Sequence, residues 1–112
     1  MGDEVFRYVE IVNRLKRGTI EGRLLWQRDS QHARQYVITL DDGHGATVSC
    51  VSGGTAVRFI MSSSGGVETL HLDSSRAADD VLRLALLQLF VAVRDSLVRR
   101  AADEALDAVR DL

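Results

Sequence analysis

The sequence predicts an α+β fold: an N-terminal helix, a five-stranded antiparallel meander and a long C-terminal helix, in that order. Three observations predict it: apolar residues at helical spacing near the N-terminus, five short segments joined by short loops, and a final stretch without Gly or Pro. A parallel crossover needs about a dozen residues or more, so the short loops imply antiparallel pairing. The length of 112 residues predicts a single α-β5-α domain spanning 1–112.

The first helix is predicted over residues 4–17. Its apolar stripe follows the i, i+3, i+4 spacing of one buried face and consists of Val5, Tyr8, Val9, Val12 and Leu15. Asp3 is expected to cap its start, and Gly18 is expected to end it in the left-handed conformation.

Five strands are predicted after this helix, because the spacing of apolar residues changes to an alternation of period two. They are expected at residues 22–28, 35–40, 46–52, 55–61 and 67–72. Gly-rich segments separate several of them, which is typical of turns. Trp26 and Tyr36 are in phase with apolar neighbours, so both are expected in the core.

The second helix is expected to be capped by Ser74 or Ser75 and to run to the C-terminus. A helix of about 36 residues is about 54 Å long. A domain of this size is only about 35 Å across, because its radius of gyration is about 13 Å. The helix is therefore expected either to break near residues 99–103 and fold back, or to overhang and pair with a second chain.

The stretch 81–93, VLRLALLQLFVAV, is apolar on nearly every side, which predicts cover on nearly every side. The sheet and the first helix supply too little cover, so the C-terminal helix is interpreted as a dimer interface. The residues expected in or near its buried seam are Leu86, Leu87, Leu89, Phe90, Val93 and Leu97. The interface is expected to include Val98, Ala105 and Val109 as well, on the segment 98–112, which is another surface that the chain could present to a different protein.

These features favour a non-enzymatic protein-interaction module, such as a small adaptor, a chaperone-like protein or an inhibitory partner of a larger protein. The expected partners are a second copy of the chain, giving a homodimer, and a larger protein. One Lys against 13 Arg is typical of a GC-rich bacterial genome. The apolar run at 81–93 is too short to span a bilayer, so a cytoplasmic protein that does not bind membranes is expected.

Nucleic-acid binding is the alternative. Basic residues concentrate in residues 14–34 and are expected to gather at one end of the sheet. The candidate contacts are Arg14, Lys16, Arg17, Arg23, Arg28 and Arg34. The net charge of −2 does not favour this hypothesis, because nucleic-acid binding rests on phosphate neutralisation by Lys and Arg.

No catalytic residue, cofactor or metal is predicted. Metal sites need three or four converging ligands at recognisable spacing, and the possible ligands lack such spacing. They are His32, His44, His71, Asp41 and Asp42. Cys50 is interpreted as a small core residue and Ser62–Ser64 as a turn. A small metal-dependent or ligand-binding enzyme, working from a pocket between sheet and helix, is the weakest alternative.

Overall fold

The computed structural model describes residues 3–112, apart from the side chain of Ser52. Within this range the elements are α1 (Asp3–Ile20), β1 (Gln27–Arg28), β2 (Gln35–Thr39), β3 (Gly45–Val51), β4 (Ala56–Ser62), β5 (Glu68–Asp73) and α2 (Asp80–Val109). The five strands form one antiparallel sheet in the order β1-β2-β3-β4-β5. The predicted α+β fold is confirmed, and α2 continues without a break through residues 99–103.

One face of the sheet packs against α2. The strand register places Tyr36, Val48, Phe59 and Leu72 opposite one another in a single row across β2 to β5. All four side chains are buried and belong to the same hydrophobic cluster as the inner face of α2. Helix α1 packs beside α2 and adds Val12 and Leu15 to that cluster.

Helix α1 extends to Ile20, beyond the predicted end at Gly18. Its C-terminus is a Schellman motif, in which Arg23 N–H donates to Gly18 C=O (2.9 Å) and Gly22 N–H donates to Thr19 C=O (3.1 Å). Gly22 has the positive φ of 77° that this motif requires. Gly18 lies inside the helix. A Cβ at this position would come 2.9 Å from a methyl carbon of Leu24, so the close packing of Leu24 favours glycine there.

Strand β1 is limited to Gln27–Arg28, so the prediction of a strand over 22–28 is wrong for its first five residues. The reason is Trp26, whose indole is fully buried and donates from Nε1 to Thr19 Oγ1 at 2.9 Å. This bond ties Trp26 to the last turn of α1, and the residues before Gln27 do not pair with β2. Both aromatic residues expected in the core, Trp26 and Tyr36, are buried.

Thr19→Val should destabilise the fold by about 1–3 kcal/mol, because a buried indole N–H would lose its acceptor. The Thr19 hydroxyl accepts from Trp26 and donates to Leu15 C=O at 2.7 Å, and its side chain is 1% exposed. Valine has nearly the same shape, so the hydroxyl is the main change. Urea unfolding followed by Trp fluorescence would measure the loss. Thr19→Ser, which keeps the hydroxyl, should lose less, and an equal loss in both variants would contradict the role of this bond.

Helix α2 begins at a different cap from the predicted Ser74 or Ser75. Asp79 is the N-cap, and its Oδ1 accepts from the N–H groups of Val81 (2.8 Å) and Leu82 (3.2 Å). Ser74 is buried instead, where its Oγ accepts from Val57 N–H at 2.9 Å. Ser75 donates from both its N–H and its hydroxyl to Asp73, which together with nearby Arg58 lowers the pKa of that carboxyl.

The length of α2 gives the described chain an elongated shape. Its 30 residues span about 45 Å at 1.5 Å per residue, and the described residues extend over 56 × 31 × 27 Å. The radius of gyration is 15.0 Å, larger than the value expected for a compact domain of this length. The helix therefore extends beyond the rest of the domain and does not break near residues 99–103 and fold back.

Candidate interaction surface

The inner face of α2 is the centre of the hydrophobic core. Leu82, Leu86, Leu89 and Val93 point towards the sheet and α1 and are buried. Arg100 continues this side of the helix and donates to the carbonyl of Trp26, which ties α2 to the segment before β1. The inner face ends there, because all residues from 101 to 112 are exposed.

The outer face of α2 carries a second stripe, which is exposed along its whole length and apolar except at Gln88 and Asp95. Its members recur at alternating intervals of three and four residues, the spacing of a coiled-coil seam. We call this set the outer stripe. It consists of Val81, Leu84, Gln88, Val91, Asp95, Val98, Ala102, Ala105, Val109 and Leu112. Leu84 is 55% exposed and Val98 58% exposed.

A groove forms where the outer stripe passes the end of α1. It has a volume of about 790 Å³, and α1 contributes Lys16 and Ile20 to its wall. The α2 side is lined by Leu87, Gln88, Val91, Ala92, Asp95, Val98 and Arg99. Lys16 Nζ donates to Gln88 Oε1 at 3.0 Å across one end. The groove is open and mostly apolar, so its shape suits side chains of another helix.

The last turns of α2 and the three residues that follow it, together residues 101–112, are called the tail. Every side chain in it is exposed, including Leu106 and Val109. So short a helix is marginal by itself in water, so residues 101–109 are helical because they continue α2. The tail therefore presents apolar side chains that the rest of the described chain does not cover.

The sequence-predicted interface residues divide between the two faces of α2. Leu86, Leu89 and Val93 are wholly buried within the chain, so they are core residues and not part of an exposed seam. Phe90 and Leu97 are half-buried against the same core. The remaining four are exposed: Leu87 lines the groove, and the other three, Val98, Ala105 and Val109, belong to the outer stripe.

Three exposed apolar residues of the first half of α2 escaped the sequence prediction. They are Val81, Leu84 and Val91, which continue the spacing of Val98 and Val109 towards the N-terminus. That spacing was the signal that could have found them. It was hidden because residues 81–93 are apolar on the core side as well.

The predicted nucleic-acid residues do not form one basic surface. Arg14 is paired with Glu10 (2.8 Å) and Arg23 with Glu21 (2.6 Å). Lys16 and Arg17 lie near the end of α1. Arg28 lies on β1, with its guanidinium carbon 6.0 Å from the centre of the Tyr36 ring. Arg34 lies in the turn before β2. Trp26 and Tyr36 are buried, so neither offers an exposed platform for stacking a base. The nucleic-acid alternative stays a prediction.

The histidines weighed as metal ligands lie apart. His44 Nδ1 is 2.9 Å from Asp42 Oδ2 in the β2–β3 turn, and His71 Nδ1 is 3.1 Å from Glu68 Oε1 on β5. Within residues 3–112 no three His, Cys, Asp or Glu side chains converge as a metal site would require. Cys50 is a half-buried free thiol on β3.

Among the described residues, neither helix combines the length and the apolar character needed to cross a membrane. Comparisons of the chain with protein-family models, curated proteins and solved structures found no match.

Proposed function

We propose that this chain is a non-enzymatic protein-interaction module that dimerises through the outer stripe of α2. The observation that carries the proposal is that eight of the ten members of this stripe, from the groove to the tail, are exposed apolar residues. Single exposed apolar residues are ordinary on protein surfaces, whereas a contiguous row marks a site of association. The 3–4 spacing is the pattern by which helices pack side by side.

The size of the outer stripe is that of a weak, reversible dimer. A helix about 45 Å long and about 10 Å wide offers a footprint of about 450 Å² per chain. Two copies would then bury about 900 Å², close to the roughly 1,000 Å² expected of a specific interface. The tail must be part of this contact, because the groove region alone is too small.

The outer face of the sheet remains free in such a dimer and is the second surface offered to a larger protein. The register aligns Val37, Thr47 and Ile60 in a half-buried row across β2 to β4. A role as an adaptor, a chaperone-like protein or an inhibitory partner would use this face, with α2 holding two copies together.

Val98→Asp should weaken dimerisation more than about tenfold while leaving the fold intact. The dimer would have to bury a carboxylate on each chain without a partner, which costs more than the roughly 1.4 kcal/mol that corresponds to a tenfold change in affinity. Sedimentation velocity at several protein concentrations would measure the dissociation constant.

Val67→Asp is the matched control, because Val67 is 66% exposed in the β4–β5 turn, away from α2. It should associate like the native chain. Equal association of native chain, Val98→Asp and Val67→Asp would overturn the proposal.

A further inference from the structure

Helix α1 exposes two large apolar side chains, and both lie on the side of this helix that borders the groove. Phe6 is 60% exposed and Ile20 is 55% exposed. They are 14 residues apart, which is close to four full turns of about 3.6 residues, so their side chains point in nearly the same direction. Ile20 lines the groove together with Val98, so this side of α1 and the outer stripe of α2 open onto the same surface.

A row of residues connects these two side chains along α1. Its members recur at intervals of three and four residues, as neighbours on one side of a helix do. We call this set the α1 stripe. It consists of Phe6, Val9, Asn13, Lys16 and Ile20. The stripe is polar at Asn13 and Lys16, and its three inner members are half-buried. Because Lys16 Nζ bonds to Gln88 Oε1, the α1 stripe and the outer stripe are joined across the groove.

We infer that the second copy covers both stripes, with its α2 lying in the groove in contact with α1 as well as α2 of the first copy; this rests on the proposed function and names the rest of the dimer surface. The outer stripe lies opposite the buried side of α2, so both stripes face away from the sheet. The dimer is then a bundle of four helices between two sheets, in which layers pack as they do within single domains.

The area of the contact supports the part of α1. The outer stripe alone gives about 900 Å² for two copies, below the range of about 1,200–2,000 Å² for stable, specific interfaces. Helix α1 has 18 residues and is about 27 Å long. About half of its width of about 10 Å is free, because the inner members of the α1 stripe are already half-buried. It therefore adds about 270 Å² for two copies and brings the contact to about 1,200 Å².

The groove itself favours an occupant that touches both of its walls. A second α2 packed on the outer stripe alone would leave Ile20 and the groove in water. The groove has a volume of about 790 Å³ and is mostly apolar. Burial of apolar surface is favourable roughly in proportion to its area, so the arrangement that fills the groove is the more stable one. Both copies use the same surface, so the contact is complete with two copies and does not propagate into fibres.

Phe6→Gln combined with Ile20→Gln should weaken dimerisation about tenfold or more and leave the monomer folded. Both side chains are exposed in the single chain, so the loss falls on the contact. The matched control is Glu10→Gln combined with Arg14→Gln, since this exposed ion pair (2.8 Å) does not line the groove. Each variant places two glutamines on α1 and keeps the net charge at −2. Sedimentation equilibrium measures the dissociation constants, and circular dichroism checks the fold.

An environment-sensitive dye gives a second measurement, on a chain whose dimer contact has not been made polar. In a Cys50→Ala background, the dye is attached to Phe6→Cys or, as the control, to Arg14→Cys. Emission from position 6 should shift to shorter wavelength as the protein concentration rises, because the dye becomes buried in the dimer. Emission from position 14 should not change.

A native chain that dimerises no better than the variant with glutamine at positions 6 and 20 would overturn the inference and leave the proposed function standing. So would equal weakening by the Glu10 and Arg14 control, or emission from position 6 that does not change with concentration. If the variant at positions 6 and 20 is unfolded, the dye measurement decides. A native chain that sediments as a monomer throughout would overturn both the inference and the proposed function.

Discussion

Leu89→Asp should leave the chain unfolded at room temperature. Leu89 is 0% exposed at the centre of the contact between α2 and the sheet. Losing a buried leucine costs about 2–5 kcal/mol, and burying an unpaired carboxylate costs several more. The sum is comparable with the roughly 5–15 kcal/mol that stabilises a whole domain. Far-UV circular dichroism and the fluorescence of Trp26 would report the loss of structure.

Leu84→Asp is the matched control on the same helix, since Leu84 lies on the outer stripe and not in the core. It should keep the native circular dichroism spectrum and melting temperature of the monomer, and it should associate more weakly than the native chain. A folded Leu89→Asp variant, or an unfolded Leu84→Asp variant, would show that the two faces of α2 have been assigned the wrong way round.

A chain that ends at Asp103 should fold normally and lose its association. The residues removed, 104–112, are all exposed, so their loss costs the monomer little. Asp103 is kept so that one turn follows Arg100, which bonds to the carbonyl of Trp26. The shortened chain lacks three members of the outer stripe, Ala105, Val109 and Leu112. Sedimentation velocity and thermal unfolding of the same sample would separate the effect on association from the effect on folding.

Two variants of the full-length chain, each with three substitutions in the tail, test the same contact without shortening the chain. Replacing the outer-stripe residues Ala105, Val109 and Leu112 by glutamine should abolish association. Replacing the acidic residues Glu104, Asp107 and Asp111 by glutamine should not, because they lie on the opposite side of the tail. Equal association of both triple variants would mean that the tail does not act through its apolar side.

The order of elements could be predicted because each was specified locally. Alternating apolar residues and short loops determined the meander, and a final stretch without Gly or Pro indicated the long helix. The errors occurred where a tertiary contact decided the outcome. Gly18 follows Lys16 and Arg17, as a glycine that ends a helix often does. The helix instead continues through Thr19 and Ile20, and the Thr19 hydroxyl accepts the hydrogen bond from the Trp26 indole. The same bond shortens β1.

The sequence placed the candidate interface on α2 but did not separate the two faces of this helix. Residues 81–93 are apolar all round, so their sequence does not reveal which side faces the sheet. Packing against Phe59 and Tyr36 assigns Leu86, Leu89 and Val93 to the core. Beyond Arg100 the sheet and α1 no longer cover the helix. In this region Ala105 and Val109 are exposed, and their predicted part in an interface stays a prediction.

The molar mass of the unmodified chain as a function of concentration tests the central claim most directly. Sedimentation equilibrium should show the mass rising with concentration from 12.4 kDa towards twice that value, and stopping there because a contact between two identical surfaces is complete with two copies. A mass of 12.4 kDa at every concentration up to the solubility limit would contradict the claim that the outer stripe binds a second copy.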